Sequence, residues 1–272
     1  MKADDVRTRI MELLTLFKLH IAAEQMVARI EKAGHDDALP IVKEVLELEA
    51  QGRFERRVER LRKASHLPHT KTFASLDEGR LPRTVVQRVR ELSTGAFVER
   101  AANVLVFGLP GVGKTHVACA LGDALVRAGH SVLFVPTYLL VQQLLAARRD
   151  LSLPRALRHL DEFEVLILDD LGYVQQNADE AEVLFTMMAE RYERRSIVIT
   201  SNLVFSEWER IFKNPMATAA AIDRLVHHAI ILELDVTSYR TEDAKRRANK
   251  NDDNYTPTTG GLTTTTPPPP AG

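Results

Sequence analysis

Residues 103–115, Asn-Val-Leu-Val-Phe-Gly-Leu-Pro-Gly-Val-Gly-Lys-Thr, join an apolar strand to a complete G-x-x-x-x-G-K-[ST] loop. This spacing is phosphate chemistry. Gly108, Gly111 and Gly113 remove side chains where backbone N–H groups must turn inward around phosphate oxygens. A helix starting near Lys114 aims its positive end at the same point. Lys114 would reach the β- and γ-phosphates as a point charge, and the Thr115 hydroxyl would coordinate Mg²⁺. An ordinary glycine-rich turn is the bland alternative. The context argues against it, with β-branched residues before the loop and an Ala/Leu/Val-rich run, His116 to Val126, after it.

A phosphate loop needs an acidic partner, and Val-Leu-Ile-Leu-Asp-Asp ends at Asp169 and Asp170. Four apolar residues deliver two carboxylates to one strand end. Asp169 would hold Mg²⁺ through its water shell, and Asp170, pointing the other way, would orient or deprotonate an attacking water. Ser-Ile-Val-Ile-Thr-Ser-Asn202 ends another strand in polar residues. The Asn202 amide suits the γ-phosphate or the lytic water, though a turn residue would look the same. Arg224, in Ala-Ala-Ile-Asp-Arg-Leu, is either a surface partner of Asp223 or a guanidinium offered to a neighbouring subunit's γ-phosphate. His227 and His228 lack partners at metal spacing and read as helix-end or packing residues.

The elements that must position these groups alternate strand and helix. Short branched or apolar runs at 104–107, 131–135, 165–168, 196–200 and 229–234 read as strands. The expectation is an α/β fold, a five-stranded parallel sheet flanked by helices, with ligands at the carboxyl ends of the strands. Before it, residues 4–33 carry a helical stripe of Ile10, Leu13, Leu14, Phe17, Ile21 and Ile30 that stops at Gly34. Ile41, Val45, Leu48, Phe54, Val58 and Leu61 predict one long helix or two. Residues 1–65 thus form a helical module too small to stand alone, whose apolar face should dock on the main domain or another protein. Residues 66–80 are a linker, with Phe73 placed either for an adenine contact or for packing. The main domain occupies 81–250, and the Thr/Pro-rich 251–272 is a tail without means to bury itself.

Of 272 residues, 45% are hydrophobic and the net charge is −1, enough apolar matter for a core and no bulk electrostatic sign of a polyanion partner. No run approaches the roughly 18 apolar residues of a membrane span, and no signal-peptide core follows Met1. A soluble protein of the reducing cytoplasm is expected, with the single Cys119 packed in the helix after the phosphate loop. Basic residues cluster locally: Arg53, Arg56, Arg57, Arg60, Arg62 and Lys63; Arg148, Arg149, Arg155 and Arg158; and Arg240, Lys245, Arg246, Arg247 and Lys250. Each cluster could equally be a solvated helix face.

Taken together, Gly108-Leu-Pro-Gly-Val-Gly-Lys-Thr-His116, Leu166-Ile-Leu-Asp-Asp-Leu-Gly172, Thr200-Ser-Asn202 and Asp223-Arg-Leu-Val-His-His228 closely resemble the IstB family of AAA+ ATPases. These are helper proteins of IstA/IstB-type insertion elements and relatives of the DnaC helicase loader and the DnaA initiator. Lys71-Thr-Phe and Phe97-Val-Glu-Arg-Ala-Ala-Asn-Val-Leu share the likeness, which covers roughly residues 65 to 240. The resemblance implies ATP and Mg²⁺ as cofactors and nucleotide contacts from Gly108, Pro110, Gly111, Val112, Gly113, Lys114, Thr115 and His116. It implies Asp169 and Asp170 as the Walker B pair, Asn202 as sensor and Arg224 as a finger acting in trans. It further implies ATP hydrolysis, self-assembly on duplex DNA and support of an IstA-like transposase in target selection and insertion. Asp170 stands where many AAA+ enzymes carry Glu, and the usual helical lid is missing, with Arg240 a partial substitute. Initiator-like relatives insert helices before the acidic strand, which here puts Arg148, Arg149, Arg155 and Arg158 in place to touch DNA phosphates.

Other functions share parts of this pattern. A DnaC-type helicase loader would use the same core with a different partner on residues 1–65. A P-loop kinase would need a substrate lid and a basic clamp that the chain does not display. A nucleotide-bound scaffold would need no turnover.

Overall fold

The computed structural model describes residues 3–172, 177–212, 215–227 and 229–236. Calls on Arg240 to Lys250, on His228 and on the tail lie outside them. Helices α1 (Ala3–Leu16), α2 (His20–Lys32) and α3 (Leu39–Ala64) come first. Helix α4 (Arg83–Leu92) leads into β1 (Asn103–Gly108) and α5 (Lys114–Arg127), then β2 (Val132–Pro136), α6 (Thr137–Arg149) and α7 (Leu153–Asp161). The chain continues through β3 (Val165–Leu171), α8 (Ala178–Arg191), β4 (Ser196–Ser201), α9 (Glu209–Phe212), α10 (Pro215–Val226) and β5 (Ala229–Leu234).

The five strands form one parallel sheet in the order β2-β3-β4-β1-β5. Strands β1, β3 and β4 are buried on both faces, which is why their runs are continuously apolar instead of alternating, whereas the edge strand β5 exposes Ile231 and Glu233. Period-two geometry still divides them. Val104, Val106, Val165, Ile167 and Val198 pack with α4 and α5 on one face. Leu105, Phe107, Leu166, Leu168, Ile197 and Ile199 pack with α6, α8, α10 and Trp208 on the other.

Two buried polar residues tie the sheet to its helices. Asn103 donates through Nδ2 to Leu225 O at 3.1 Å and accepts from Ile197 N–H at 2.9 Å. Arg191 donates to the carbonyls of Leu160, Phe163 and Ser196 at 2.8, 3.0 and 3.1 Å. Its burial lowers the guanidinium pKa to about 10, still far above neutrality, so the cation is retained.

The N-terminal segment departs from the single helix expected over 4–33. It breaks after Leu16, with Lys18 at φ 61°, and α2 folds back on α1. The break resets the helical phase. Phe17 stays buried against Arg53, whereas Ile21, which would share its stripe in a continuous helix, is 74% exposed. Val6, Ile10, Leu14, Ala23, Val27 and Leu39 then form a small separate core. Helix α3 is one unbroken helix and belongs to two cores. Val42 and Leu46 face α1, while Val58 and Leu61 pack on the α5 side of the sheet. Arg62 pairs with the buried Asp123 of α5, and Arg57 donates to Gly129 O at 3.1 Å. The apolar stripe therefore docks on the main domain with its C-terminal half, while Ile41, Val45 and Leu48 face outward.

Candidate nucleotide site

The loop from Gly108 to Gly113 turns between the end of β1 and the start of α5. Two of its glycines are required by geometry. A Cβ on Gly108 would stand 2.8 Å from Leu234 O and 2.9 Å from Val112 Cγ2, and Gly113 takes φ 100° at the position that opens α5. Val112 is buried under the loop, so only its main chain faces a ligand, whereas Pro110 is exposed at the rim. The Lys114 ammonium donates to Gly108 O and Leu109 O at 2.9 and 3.0 Å, which holds a nearly buried cation at the loop. The first N–H groups of α5, the helix dipole and this ammonium share one location.

His116 does not face the loop. Its Nε2 lies 3.1 Å from both Ser75 Oγ and Thr72 O, pinning the segment before α4 onto α5. Phe73, in that segment, is half-buried against the α5-side core. Cys119 is fully buried with its thiol pushed up to about 12 by burial, so it packs and does not react.

Asp169 lies one strand beyond β4, with a buried carboxylate near enough to the Thr115 hydroxyl for that hydroxyl to favour its charged form. Its Oδ1 accepts from Thr200 Oγ1 at 2.6 Å, and its main-chain oxygen accepts from Thr137 Oγ1 at 2.8 Å. Burial and then the neighbouring Asp170 charge push the Asp169 pKa up, the Thr200 hydrogen bond, the Thr115 hydroxyl and the Lys71 charge pull it down, and the net direction is upward. A positive charge beside it would reverse the balance.

The adjacent Asp170 is exposed, at φ 57°. The cause is a bulge: Leu168 pairs with Ile199 but Leu171 with Ser201, so β3 carries one residue more than β4. The Asp170 N–H donates to Thr200 Oγ1 at 2.9 Å, so one hydroxyl serves both aspartates. Asn202 follows β4 directly and is half-buried.

Arg224 is elsewhere. The Leu225 carbonyl beside it is held by Asn103, at the amino end of β1, while the phosphate loop leaves the carboxyl end at Gly108. Five residue steps at ~3.3 Å place the two ends ~16 Å apart. The Arg224 guanidinium sits 4.9 Å from the centroid of the Phe185 ring, and its Nη1 is buried without a hydrogen bond. The structure thus brings together Gly108, Gly111, Gly113, Lys114, Thr115, Asp169 and Asp170 at one edge of the sheet, and leaves Arg224 at the opposite edge. Of the inserted arginines, Arg148 pairs with Glu182 and Asp179 at 3.0 and 3.6 Å. Arg149, Arg155 and Arg158 are exposed and form no ion pair among the described residues.

Sequence reasoning missed the parts played by Thr200, Thr137 and Lys71. The signal for Thr200 was present, because a strand ending Thr-Ser-Asn runs beside one ending Asp-Asp.

The chain has clear relatives. The family described as IstB-like ATP binding protein matches residues 9–248. An insertion-sequence protein of Sinorhizobium fredii, named for ATP binding, is 47% identical over 201 residues, covering 74% of this chain and 67% of the relative. A counterpart from insertion sequence IS5376 of Geobacillus stearothermophilus is 34% identical over 250 residues, covering 91% of this chain and all (100%) of the relative. Among solved structures, AMPPCP-bound DnaA from Aquifex aeolicus superposes with TM-score 0.54 at 16% identity, over 68% of this chain and 56% of that one. The DnaI structure gives 0.52 at 20%, over 62% and 95%. At such identities the two structures share the fold alone, a P-loop AAA+ core. With its phosphate loop, its Asp-Asp strand end and a family match over most of its length, this chain belongs to the IstB-like ATP-binding proteins.

Proposed function

We propose that this protein is a Mg²⁺-dependent ATPase that assembles with copies of itself on duplex DNA and assists a transposase in choosing and entering target DNA. The observation that carries the reading is the separation of Arg224 from its own phosphate loop. The backbone beside Arg224 is tied to the amino end of β1, ~16 Å along the strand from the phosphate loop, and its guanidinium is turned onto Phe185, an arrangement that does not favour the nucleotide of its own chain. A neighbouring copy's nucleotide is the anion it suits, and hydrolysis then depends on assembly. Relatives named for ATP binding and for insertion sequences support the rest.

Within one copy the loop N–H groups and Lys114 would grip the β- and γ-phosphates. Thr115 and Asp169 offer hard oxygen ligands side by side, and a divalent cation between them also neutralises a carboxylate that burial otherwise disfavours. When bound, Mg²⁺ would offset charge on the phosphate oxygens. Asp170, turned outward by the bulge, would orient or accept a proton from the attacking water, and Asn202 would report on the γ-phosphate.

A DnaC-like helicase loader is the second reading, and the DnaI likeness favours it in fold only. The insertion-sequence relatives favour a transposase partner. The test is ATP hydrolysis and particle size, each measured with and without duplex DNA. Stimulated turnover together with growth into a large assembly is expected; a monomer whose turnover ignores DNA would refute the proposal.

A further inference from the structure

Between α6 and α7 the chain closes the first helix with two main-chain bonds, Ser152 N–H to Ala147 O at 2.8 Å and Leu151 N–H to Arg148 O at 3.1 Å. In this arrangement the residue after the helix cap takes the left-handed conformation, a place commonly held by glycine. Here it is Leu151, at φ 53°. Its side chain is 92% exposed, more than any other large apolar side chain among the described residues. Two penalties fall on one residue. A side chain in the left-handed region is strained, and an aliphatic group in water forgoes burial. Glycine would remove both, and Leu151 belongs to neither core of the sheet, so packing offsets neither. A single exposed leucine is ordinary; one placed where the backbone disfavours any side chain is not.

Its surroundings identify what it meets. Arg149, Arg155 and Arg158 flank the turn, exposed and without ion pairs among the described residues, against one acid at the tip, Asp150. Nearby acids are engaged elsewhere: Asp161 with Arg194 at 2.6 Å, Glu182 with Arg148 at 3.0 Å and Glu162 with His159 at 3.1 Å. A protein-docking patch gathers several apolar side chains at a centre depleted of charged residues, whereas Leu151 stands alone among arginines. That cationic rim suits a polyanion with a stacked apolar interior.

We propose that Leu151 is a wedge that enters a groove of duplex DNA and inserts between neighbouring base pairs, while Arg149, Arg155 and Arg158 hold the phosphates on either side. The inference rests on the DNA-binding part of the function proposed above and adds to it a deformation of the duplex. An aliphatic wedge unstacks one base step and kinks the helix there, at least cost at pyrimidine–purine steps. It needs no base-specific hydrogen bond, so distortion would occur without sequence readout.

The test uses the full chain with ATP and Mg²⁺ and a mixed-sequence duplex, and compares the wild type with Leu151→Gly and Leu151→Met. Permanganate oxidation of unstacked thymines, summed over the duplex, reports insertion, and fluorescence anisotropy across a salt titration reports phosphate contacts. Wild type and Leu151→Met should raise thymine reactivity. Leu151→Gly should lose that rise, bind DNA about tenfold more weakly and keep the wild-type salt slope. Its melting temperature should equal or exceed the wild type's, which a structural role for Leu151 would not allow. Wild-type binding without added thymine reactivity, or equal reactivity with Leu151→Gly, overturns the wedge and leaves DNA binding intact. No wild-type binding at low salt overturns both. A Leu151→Gly protein that assembles less well without DNA yet leaves thymines as reactive to permanganate as the wild type does assigns the residue to a protein contact, and overturns the wedge as well.

Discussion

Replacing Thr200 with Val tests the arrangement of the two aspartates most directly. The side chain is fully buried, and Val has nearly its volume, so the change leaves no cavity and removes only the hydroxyl. That hydroxyl donates to Asp169 Oδ1 at 2.6 Å and accepts from the Asp170 N–H at 2.9 Å. A lost hydrogen bond to a buried charge costs about 1.5–3 kcal/mol, and an orphaned N–H about 1–3 kcal/mol. Because the two share one atom and relax together, the sum is on the order of 3 kcal/mol. For a domain of this size that lowers the melting temperature by about 6–12 °C. Differential scanning calorimetry measures it, with Thr200→Ser as the variant that keeps the hydroxyl. The Asp169 pKa should also rise further, so that Mg²⁺-dependent ATP binding weakens more at acidic pH than in the wild type. A Thr200→Val protein melting within about 2 °C of the wild type would refute the claim that this hydroxyl holds the bulge together.

Three further outcomes follow from the geometry. Arg224→Ala should keep the fold and ATP binding but lose about 10³-fold or more in DNA-stimulated turnover, and mixing it with a Lys114→Ala chain should restore activity, because each supplies what the other lacks; no restoration in mixed assemblies would argue against a shared site. Replacing Arg149, Arg155 and Arg158 together with Ala should flatten the dependence of log DNA affinity on log salt by about 3 while leaving ATP affinity unchanged, as a salt titration by anisotropy would show. For Glu164, burial pushes the carboxyl pKa up but is outweighed by hydrogen bonds from Ser131 and His130, and the net direction is downward from about 4.5. A depressed acid adds stability above its unfolded pKa and loses it as pH falls through the folded one. The stability gap between the wild type and Glu164→Gln should therefore close below about pH 4.5, and denaturant unfolding at several pH values would expose a constant gap if the reasoning is wrong.

The sheet was legible because every strand is a short run of branched residues at the right spacing, and period and burial agree there. The phosphate loop was legible because it is local, its partners lying within eight residues of one another in sequence. What escaped was long-range or phase-dependent. A composition-neutral break at Lys18 moved Ile21 to the surface, and in α3 it is Val42 and Leu46 that join the small N-terminal core while Ile41 and Val45 stay exposed. Arg191 lies in the charged run Glu190-Arg-Tyr-Glu-Arg-Arg195, where nothing local marks it for burial, and three carbonyls that only the fold gathers hold it there. Thr200 joins two aspartates thirty and thirty-one residues away, a pairing set by strand order that local pattern does not encode. The placement of Arg224 likewise required knowing which end of β1 its helix meets.

The unbroken α3 has a mechanical consequence. Its 26 residues make a rod ~39 Å long, clamped at one end among the first two helices and at the other to Asp123 and Gly129 around α5. No joint separates the two grips. A tug on the outer bundle would be delivered, as leverage, to α5, the helix that opens at Lys114, and a displacement of α5 would be returned to the outer bundle by the same rod.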